Sequence, residues 1–476
     1  MKYYRTHTKI VATLGPATSD KAVMIRMIKE GVNVFRLNFS HSKREEHLKS
    51  IQRIREINNE LGSHVSILAD LQGPKLRVGE IENNRIDLID GETITFVTEK
   101  CMGTKEHIYM SYPEFPRDVQ VGEAVLIDDG KIKLEVVSTN HTDKVVARVV
   151  NGGPLSSKKG VNLPNTEISL PCLTDEDITN ANFALEQQVD WIALSFVRNA
   201  DDINALKRII QKQSSDTRII AKIEKPEALE DIDEIINRTD AIMVARGDLG
   251  VEVPFNKVPL IQKHLVQKCI EKAKPVIIAT QMMESMITNF RPTRAEATDV
   301  ANAVLDGADA LMLSGETSVG KFPAETIANM RLIIENAEQY ARGFKMPVAP
   351  TERTATFLSD SICYNAVILS HQVKAKAIVV LTNSGYSAYQ IASHRPDAII
   401  IAFTDNPQTV NKLSLVWGIV ANYMKTYESL TEALIHTTQV LKDKNLVKEG
   451  DILVNVASIP LKFHGKTNTV KVSKVE

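Results

Sequence analysis

From Lys9 onward, short runs of β-branched and other apolar residues alternate with longer segments whose apolar positions recur every three or four residues. A continuous or alternating apolar run of this length reads as a strand, and the longer period as an amphipathic helix. The runs begin near Lys9 (KIVATLG), Val32 (VNVFRLNFS), Val65 (VSILADLQG), Trp191 (WIALSFV), Arg218 (RIIAKIE), Ala241 (AIMVARGD), Pro275 (PVIIATQ) and Ala310 (ALMLSGE). Strands alternating with helices predict a parallel sheet, and this number of βα units predicts an α/β fold with a closed (β/α)8 TIM barrel. Such a barrel carries its functional residues at the C-terminal strand ends. Ser19-Asp20 and Thr174 to Asp177 read as helix N-caps.

The interval between Leu71 and Trp191 is too long for one βα repeat, and its pattern changes. IDLIDGETITFV, EAVLIDDGKIKLEVVS and DKVVARVV alternate apolar and polar residues around Asp-Gly turns, the signature of antiparallel strands. A small β-barrel domain is therefore predicted at 73–171, inserted over the barrel mouth where it would act as a lid. The (β/α)8 barrel is assigned to 1–72 and 172–342. After Tyr340, GFKMPVAPTERT reads as a linker. A C-terminal α/β regulatory domain is predicted at 355–476, with a helix over Asp360 to Val373 and strands AIVVLT, AIIIAFT, GIVANYM and DILVNVAS.

Composition narrows the partners more than the fold. The 476 residues are 43% hydrophobic and 24% charged, with a net charge of -2. Such a balance gives no global attraction to nucleic acid or to a membrane surface, so small-molecule partners are expected. Cys101, Cys172, Cys269 and Cys363 show no C-x-x-C spacing, MKYYRTHTK has no apolar signal segment, and no run reaches membrane-spanning length. A reducing cytoplasm is the expected location.

The strand ends surface into charge. In barrel order they offer Arg36, Asn38, Ser40 and His41, then Asp70, Lys75 and Arg77, then Lys222 and Glu224, then Arg246, Gly247 and Asp248, then Thr280, and last Ser314 and Glu316. Glu224 and Asp248 are oxygen donors suited to a Mg²⁺ ion that keeps several waters, with Lys222 beside it. Taken alone, Lys222 and Glu224 read equally well as an ion pair on a barrel rim, and His41 and Glu316 are the members most readily explained as structural. Arginines, lysines and two acidic ligands together suit a phosphorylated substrate, because phosphoryl transfer depends on positioning and neutralising charge. A basic segment, SSKKG, lies near the return of the insertion. In the C-terminal region Thr382, Ser384, Gly385 and Ser387 form a turn before a helix, which reads either as an anion site or as an ordinary capped connection.

These motifs carry a resemblance. NVFRLNFSH at Asn33 to His41, GPKLR at Gly73 to Arg77, SKKGVNLP at Ser157 to Pro164, AKIEKPEAL at Ala221 to Leu229 and IMVARGDLGVEVP at Ile242 to Pro254 occur in one order. They continue with ATQMMESM from Ala279, RPTRAEATDVANAVLDGADALMLSGETSVGKFP from Arg291, and TNSGYSA from Thr382. With them the chain resembles the pyruvate kinase family over essentially its whole length. The resemblance implies phosphoryl transfer from phosphoenolpyruvate to ADP, giving pyruvate and ATP through a Mg-stabilised enolate, as the last step of glycolysis. It implies Glu224 and Asp248 as Mg²⁺ ligands, with Mn²⁺ as a substitute, and Lys222, Arg36 and Thr280 as the catalytic group. Arg36, Lys222, Gly247, Asp248 and Thr280 would meet phosphoenolpyruvate, while Asn38, His41, Arg77 and Lys159 would face the nucleotide. Ser314, with Thr280 and ordered water, is the candidate route for the proton that the enolate takes up.

Three further expectations rest on the same resemblance. The chain would form a homotetramer. Thr382, Ser384, Gly385 and Ser387 would hold the phosphate of a phosphorylated effector, although the distal loop SIPLKFHGKTNT lacks the arginine-bearing, glycine-rich form of fructose-1,6-bisphosphate-activated members. K⁺ would not be required: where most members read TKGPEIR and hold K⁺ near Asn38, Ser40 and Asp70, this chain reads LQGPKLRV, and Lys75 would substitute a tethered ammonium. Two other classes compete. A Mg-dependent pyruvate/enolate aldolase-type barrel enzyme would need neither the inserted lid nor the SKKG segment. A non-catalytic phosphometabolite sensor would be expected to have lost a strand-end residue, yet Lys222, Glu224, Asp248 and Thr280 are all present.

Overall fold

A computed structural model of the protein describes residues 6–341, 346–352, 354–425, 427–461 and 466–476. Eight parallel strands, Lys9–Thr13, Val34–Asn38, Ser66–Asp70, Trp191–Leu194, Arg218–Ile223, Ala241–Ala245, Val276–Ala279 and Ala310–Leu313, close into a barrel. The first strand pairs with the eighth through Lys9 and Ala310 and with the second through Val11 and Val34. The caps work as expected: Asp20 accepts from the Ala22 N–H at 2.6 Å, and Thr174 with Asp177 forms a capping box.

Side chains alternate along each strand, and the alternation decides where the site lies. Val11, Val34, Leu68, Ala193, Ile220 and Met312 belong to the cluster that fills the barrel interior, while their neighbours such as Ile10, Phe35 and Ile67 pack under the helices. Two residues beyond each of these six stands a polar one, Thr13, Arg36, Asp70, Ser195, Lys222 and Ser314, whereas Met243 and Ile277 are followed by Ala245 and Ala279. The site is thus the next layer of the barrel core, written in polar residues.

Between the third and fourth strands a six-stranded sheet runs in the order Val161–Asn162, Ala124–Ile127, Ile132–Thr139, Lys144–Asn151, Thr93–Val97 and His107–Tyr109. It curls around its own core, where Phe96 meets Phe115 edge-on at 5.7 Å. Arg77 and Val78 bridge its two edges, to Gly160 on one side and Met110 on the other.

The C-terminal region folds as a five-stranded sheet in the order Ile419–Tyr423, Ile399–Thr404, Ala377–Leu381, Ile452–Ala457 and Thr469–Lys474. The first four strands are parallel and the last is antiparallel. This last strand goes beyond the sequence reading, although Val470 and Val472 alternating with Lys471 and Ser473 carry the signal. The region seals the N-terminal end of the barrel, where Leu415 joins the interior cluster. Parts of the linker and of the SIPLKFHGKTNT loop, residues 342–345, 353 and 462–465, lie outside the described residues.

Candidate active site

Lys222 is the centre of the polar layer. Its ammonium lies 3.0 Å from Glu224 Oε1 and 3.2 Å from Asp70 Oδ1, and donates to Ser195 Oγ at 2.6 Å. Burial alone would strip its proton, but Asp70 and Glu224 outweigh burial and hold the ammonium above its ordinary range. Arg36 meets the other oxygen of Asp70 at 2.5 Å and donates to Thr13 Oγ1 at 3.0 Å. Burial opposes charge on Asp70, yet Arg36 and Lys222 keep its carboxyl below the usual range. These two cations share one buried carboxylate, so Asp70 fixes their separation.

Ser195 was not among the residues singled out from the sequence. It accepts from Lys222 while donating to the Leu71 carbonyl at 2.7 Å, which locks both its rotor and the lysine. The run WIALSFV read as uninterrupted strand; the two-residue step from Trp191 through Ala193 to Ser195 is the signal that places it at the mouth. The next residue, Phe196, has φ +55° and turns its N–H onto Glu224 Oε2 at 2.8 Å.

Glu224 and Asp248 form the acidic half. Burial pushes the Glu224 carboxyl up; Lys222 opposes that shift, and nearby Asp248 adds to it. Two adjoining carboxylates with incomplete neutralisation fit a hard divalent ion that completes its shell with water and substrate oxygens. No group of three or more His, Cys, Asp or Glu side chains among the described residues could hold a metal by itself.

Gly247 and Thr280 meet before any substrate does: the Gly247 N–H donates to Thr280 Oγ1 at 2.7 Å. Thr280 sits at φ +68° and Gln281 at +54°, a conformation that costs a β-branched residue about 1–3 kcal/mol. Arg246 holds it there, donating to the Thr280 carbonyl and to Asp299, each at 2.8 Å. Arg246 thus positions Thr280. Glu316 is structural, as anticipated, because its carboxylate accepts from Met283 N–H at 3.2 Å and Ser314 N–H at 2.7 Å.

The remaining candidates are held by fewer contacts. Asn38 accepts from the Ser40 N–H at 3.1 Å. His41 is exposed, and burial together with Lys75, Arg77 and Arg36 depresses its pKa. Lys159 pairs with Asp128 at 2.9 Å, and Arg77 donates to the Lys158 carbonyl at 2.9 Å. Lys75 is exposed and forms no ion pair with Asp70 among the described residues. In the C-terminal turn Thr382 Oγ1 accepts from the Gly385 N–H at 3.1 Å, Ser384 is exposed, and the buried Ser387 hydroxyl is bonded to Thr467.

With this geometry in view, the comparisons are decisive. Residues 5–327 match the family model for the pyruvate kinase barrel domain, and residues 360–473 match that for the pyruvate kinase alpha/beta domain. The chain belongs to the pyruvate kinase family. It is 41% identical over 467 residues to a pyruvate kinase of Geobacillus stearothermophilus, covering 98% of this chain and 80% of that protein. A pyruvate kinase of Mycobacterium intracellulare is also 41% identical, with 98% of both covered. The crystal structure of a pyruvate kinase from Cryptosporidium parvum superimposes with a TM-score of 0.92 at 35% identity, covering 99% of this chain and 97% of that one. Family membership carries a divalent-metal requirement, and neither the aldolase-type enzyme nor the non-catalytic sensor gains support from any of these relatives.

Proposed function

We propose that this chain transfers the phosphoryl group of phosphoenolpyruvate to ADP, forming pyruvate and ATP. The observation that carries the reading is Lys222, a buried ammonium held by Asp70, Glu224 and Ser195 at the mouth of the barrel. A cation fixed in advance, at a position where negative charge develops, stabilises a transition state without reorganising.

Glu224 and Asp248 would hold Mg²⁺, with Mn²⁺ as substitute. When bound, the ion neutralises charge on the substrate's phosphate and carboxylate. Arg36 and Lys222 bind the phosphoryl group, their spacing set by Asp70. Gly247 N–H and Thr280 Oγ1 exchange their mutual hydrogen bond for the substrate carboxylate. Thr280, Ser314 and water deliver the proton to the methylene carbon. Arg77 and Lys159 at the edge of the inserted sheet, with Asn38 and His41, face the nucleotide; burial first, and then Lys75, Arg77 and Arg36, lower the His41 pKa, and those three cations give this part of the site a positive field. Lys75 contributes to that field and makes K⁺ unnecessary.

The chain divides into a barrel at 1–72 and 172–342, a lid at 73–171 and a regulatory domain at 355–476. It assembles as a homotetramer, supported by apolar residues left in solvent: Phe255, Leu260 and Leu358 are 83%, 70% and 75% exposed. A phosphorylated effector binds the turn at Thr382, Ser384 and Gly385, leaving Ser387 to brace it from beneath. We place the enzyme in the cytoplasm; no helix among the described residues is long and apolar enough to cross a membrane.

The deciding experiment follows pyruvate formation from phosphoenolpyruvate and ADP through a coupled dehydrogenase. Turnover that requires both substrates and a divalent ion is expected. Failure of purified, folded protein to form pyruvate under these conditions would overturn the reading.

A further inference from the structure

Glu252 ends the helix Arg246–Glu252 that carries Gly247 and Asp248. It stands four residues after Asp248, on the same helix face, and its side chain is 1% exposed. One oxygen of its carboxylate serves two separate parts of the molecule. Oε1 pairs with Lys225 Nζ at 2.9 Å, on the residue directly after Glu224. The same Oε1 accepts from Asn162 Nδ2 at 2.8 Å, on the strand Val161–Asn162 by which the inserted sheet returns toward the barrel. The other oxygen, Oε2, is buried with no hydrogen-bond partner.

This is poor design for stability alone. A buried carboxylate kept for stability would be expected to satisfy both oxygens, because each orphaned lone pair costs free energy and a buried pair often does no better than apolar packing. The arrangement is better suited to setting a register, since the inserted domain and the strand end bearing Glu224 are drawn to one atom. The turn that follows Asp128 passes close by: a Cβ built on Gly130 would lie 3.7 Å from Val251 Cγ1, on the residue before Glu252. Asp128 is also the partner of Lys159.

We propose that Glu252 is a positioning residue through which the seat of the inserted domain and the Glu224–Asp248 pair set each other. The proposal rests on the reading of those two carboxylates as divalent-ion ligands and of the insertion as a lid. Displacement of the insertion pulls on Asn162, shifts Glu252, and moves Lys225 and Asp248 with it.

The test uses the full chain with Mn²⁺ as probe, its binding measured by electron paramagnetic resonance of the free ion without substrate. Asn162→Ala, distant from both ligands in sequence and half-exposed, is expected to weaken Mn²⁺ binding about three- to tenfold and speed amide exchange in 155–163. It should also raise KM for ADP by a larger factor than it lowers kcat. Glu252→Gln should do the same, and Asn162→Ala added to Glu252→Gln should produce no further loss of Mn²⁺ affinity. Glu224→Gln supplies the reference. If it abolishes Mn²⁺ binding while Asn162→Ala lowers only the melting temperature, Glu252 is a structural pair and this proposal alone falls. If the unmodified protein binds no Mn²⁺ and Glu224→Gln changes nothing, the ligand reading falls and takes the proposal with it.

Discussion

Both ends of the barrel bury charge, and they use it differently. At the N-terminal end, Asp309 accepts from Arg395 at 3.0 Å, from the Trp417 N–H at 3.1 Å and from the Val276 N–H at 3.1 Å. Lys9 donates to the Ile419 carbonyl at 2.8 Å, and Arg218 to the Ser384 carbonyl at 3.0 Å. Each of these bonds ties a barrel residue to the C-terminal domain or to its own sheet. At the C-terminal end, Lys222, Arg36, Asp70 and Glu224 pair with one another. Charge that closes on another domain fixes an interface, whereas charge that closes on itself at the C-terminal strand ends, the face on which such barrels bind ligands, can be re-partnered by one. The strand Arg218–Ile223 makes both statements, with Arg218 at one end and Lys222 at the other.

At the C-terminal end Lys222→Met should have the greatest consequence. A fixed cation on a transferring phosphoryl group is worth about 10³- to 10⁵-fold in rate, so kcat should fall by that order while the protein stays folded. Because Lys222 also neutralises Asp70 and Glu224, the metal-free variant should melt earlier, and Mg²⁺ should recover part of the loss. Steady-state rates combined with melting curves with and without Mg²⁺ check both halves. A variant that keeps most of its kcat would remove Lys222 from the chemistry.

Asp309→Asn is the matching change at the opposite end. Removing one partner of a buried pair costs about 3–5 kcal/mol, and here Arg395 would be left with a neutral amide. Stability by urea unfolding should fall on that scale, with KM for phosphoenolpyruvate little changed in the fraction that remains folded. A loss of kcat without a loss of stability would mean that the N-terminal end belongs to the chemistry after all.

The comparison also explains what could be read from the sequence. All eight barrel strands were legible because apolar runs such as AIMVA and VIIA are unbroken, and Lys222, Glu224 and Asp248 because they interrupt such runs at strand ends. The inserted sheet was legible from its alternation, whereas the bridges from Arg77 to Gly160 and from Val78 to Met110 that close it were not, since they join residues far apart in sequence. Ser195 was hidden because serine in an apolar run carries no charge to mark it. The bond of Ser387 to Thr467 and the pairing of Asn162 with Glu252 span 80 and 90 residues, and no local pattern encodes them. The left-handed Thr280 was equally silent, because a β-branched residue is the wrong type to announce such a turn.

Asp190 sharpens the comparison through pH. Burial raises its carboxyl to about 6, against the opposing pull of the Ile67 N–H at 2.8 Å, Lys412, Ser66 and Asn411. Lys412 in turn feels Arg218, Asp216 and Asp240, so the group titrates inside the interface with the C-terminal domain. An acid whose folded pKa is raised holds its proton more tightly when folded, so its contribution to stability falls as pH rises from 3.8 toward 6. The penalty, about 3 kcal/mol at the linkage rate per pKa unit, is complete above that window. Asp190→Asn does not pay it. Relative to the unmodified protein, the variant should gain stability by that order between pH 4 and pH 7, measured as the difference in urea unfolding free energy. A difference independent of pH would show that Asp190 titrates normally.

The smallest expected effect concerns Lys75, at the C-terminal end yet outside the closed set of pairs there. Asp70 is already engaged by Arg36 and Lys222, and Asn38 is engaged by Ser40, so a charge at Lys75 acts through the field and not through a bond. After burial, Lys75 is the first of three cations that lower the His41 pKa. A tethered ammonium there needs no salt, and turnover in K⁺-free buffer containing a large inert cation should match turnover in K⁺ at equal ionic strength. Lys75→Glu reverses the local charge and should lower kcat by about tenfold, or about 1.4 kcal/mol, with K⁺ restoring most of it. The restoration matters more than the loss, because a lysine that merely shaped the Gly-Pro turn would be lost on substitution without being replaced by an ion. Strong K⁺ activation of the unmodified enzyme, or a Lys75→Glu variant indifferent to K⁺, would show that the fixed charge has no share in this end of the barrel.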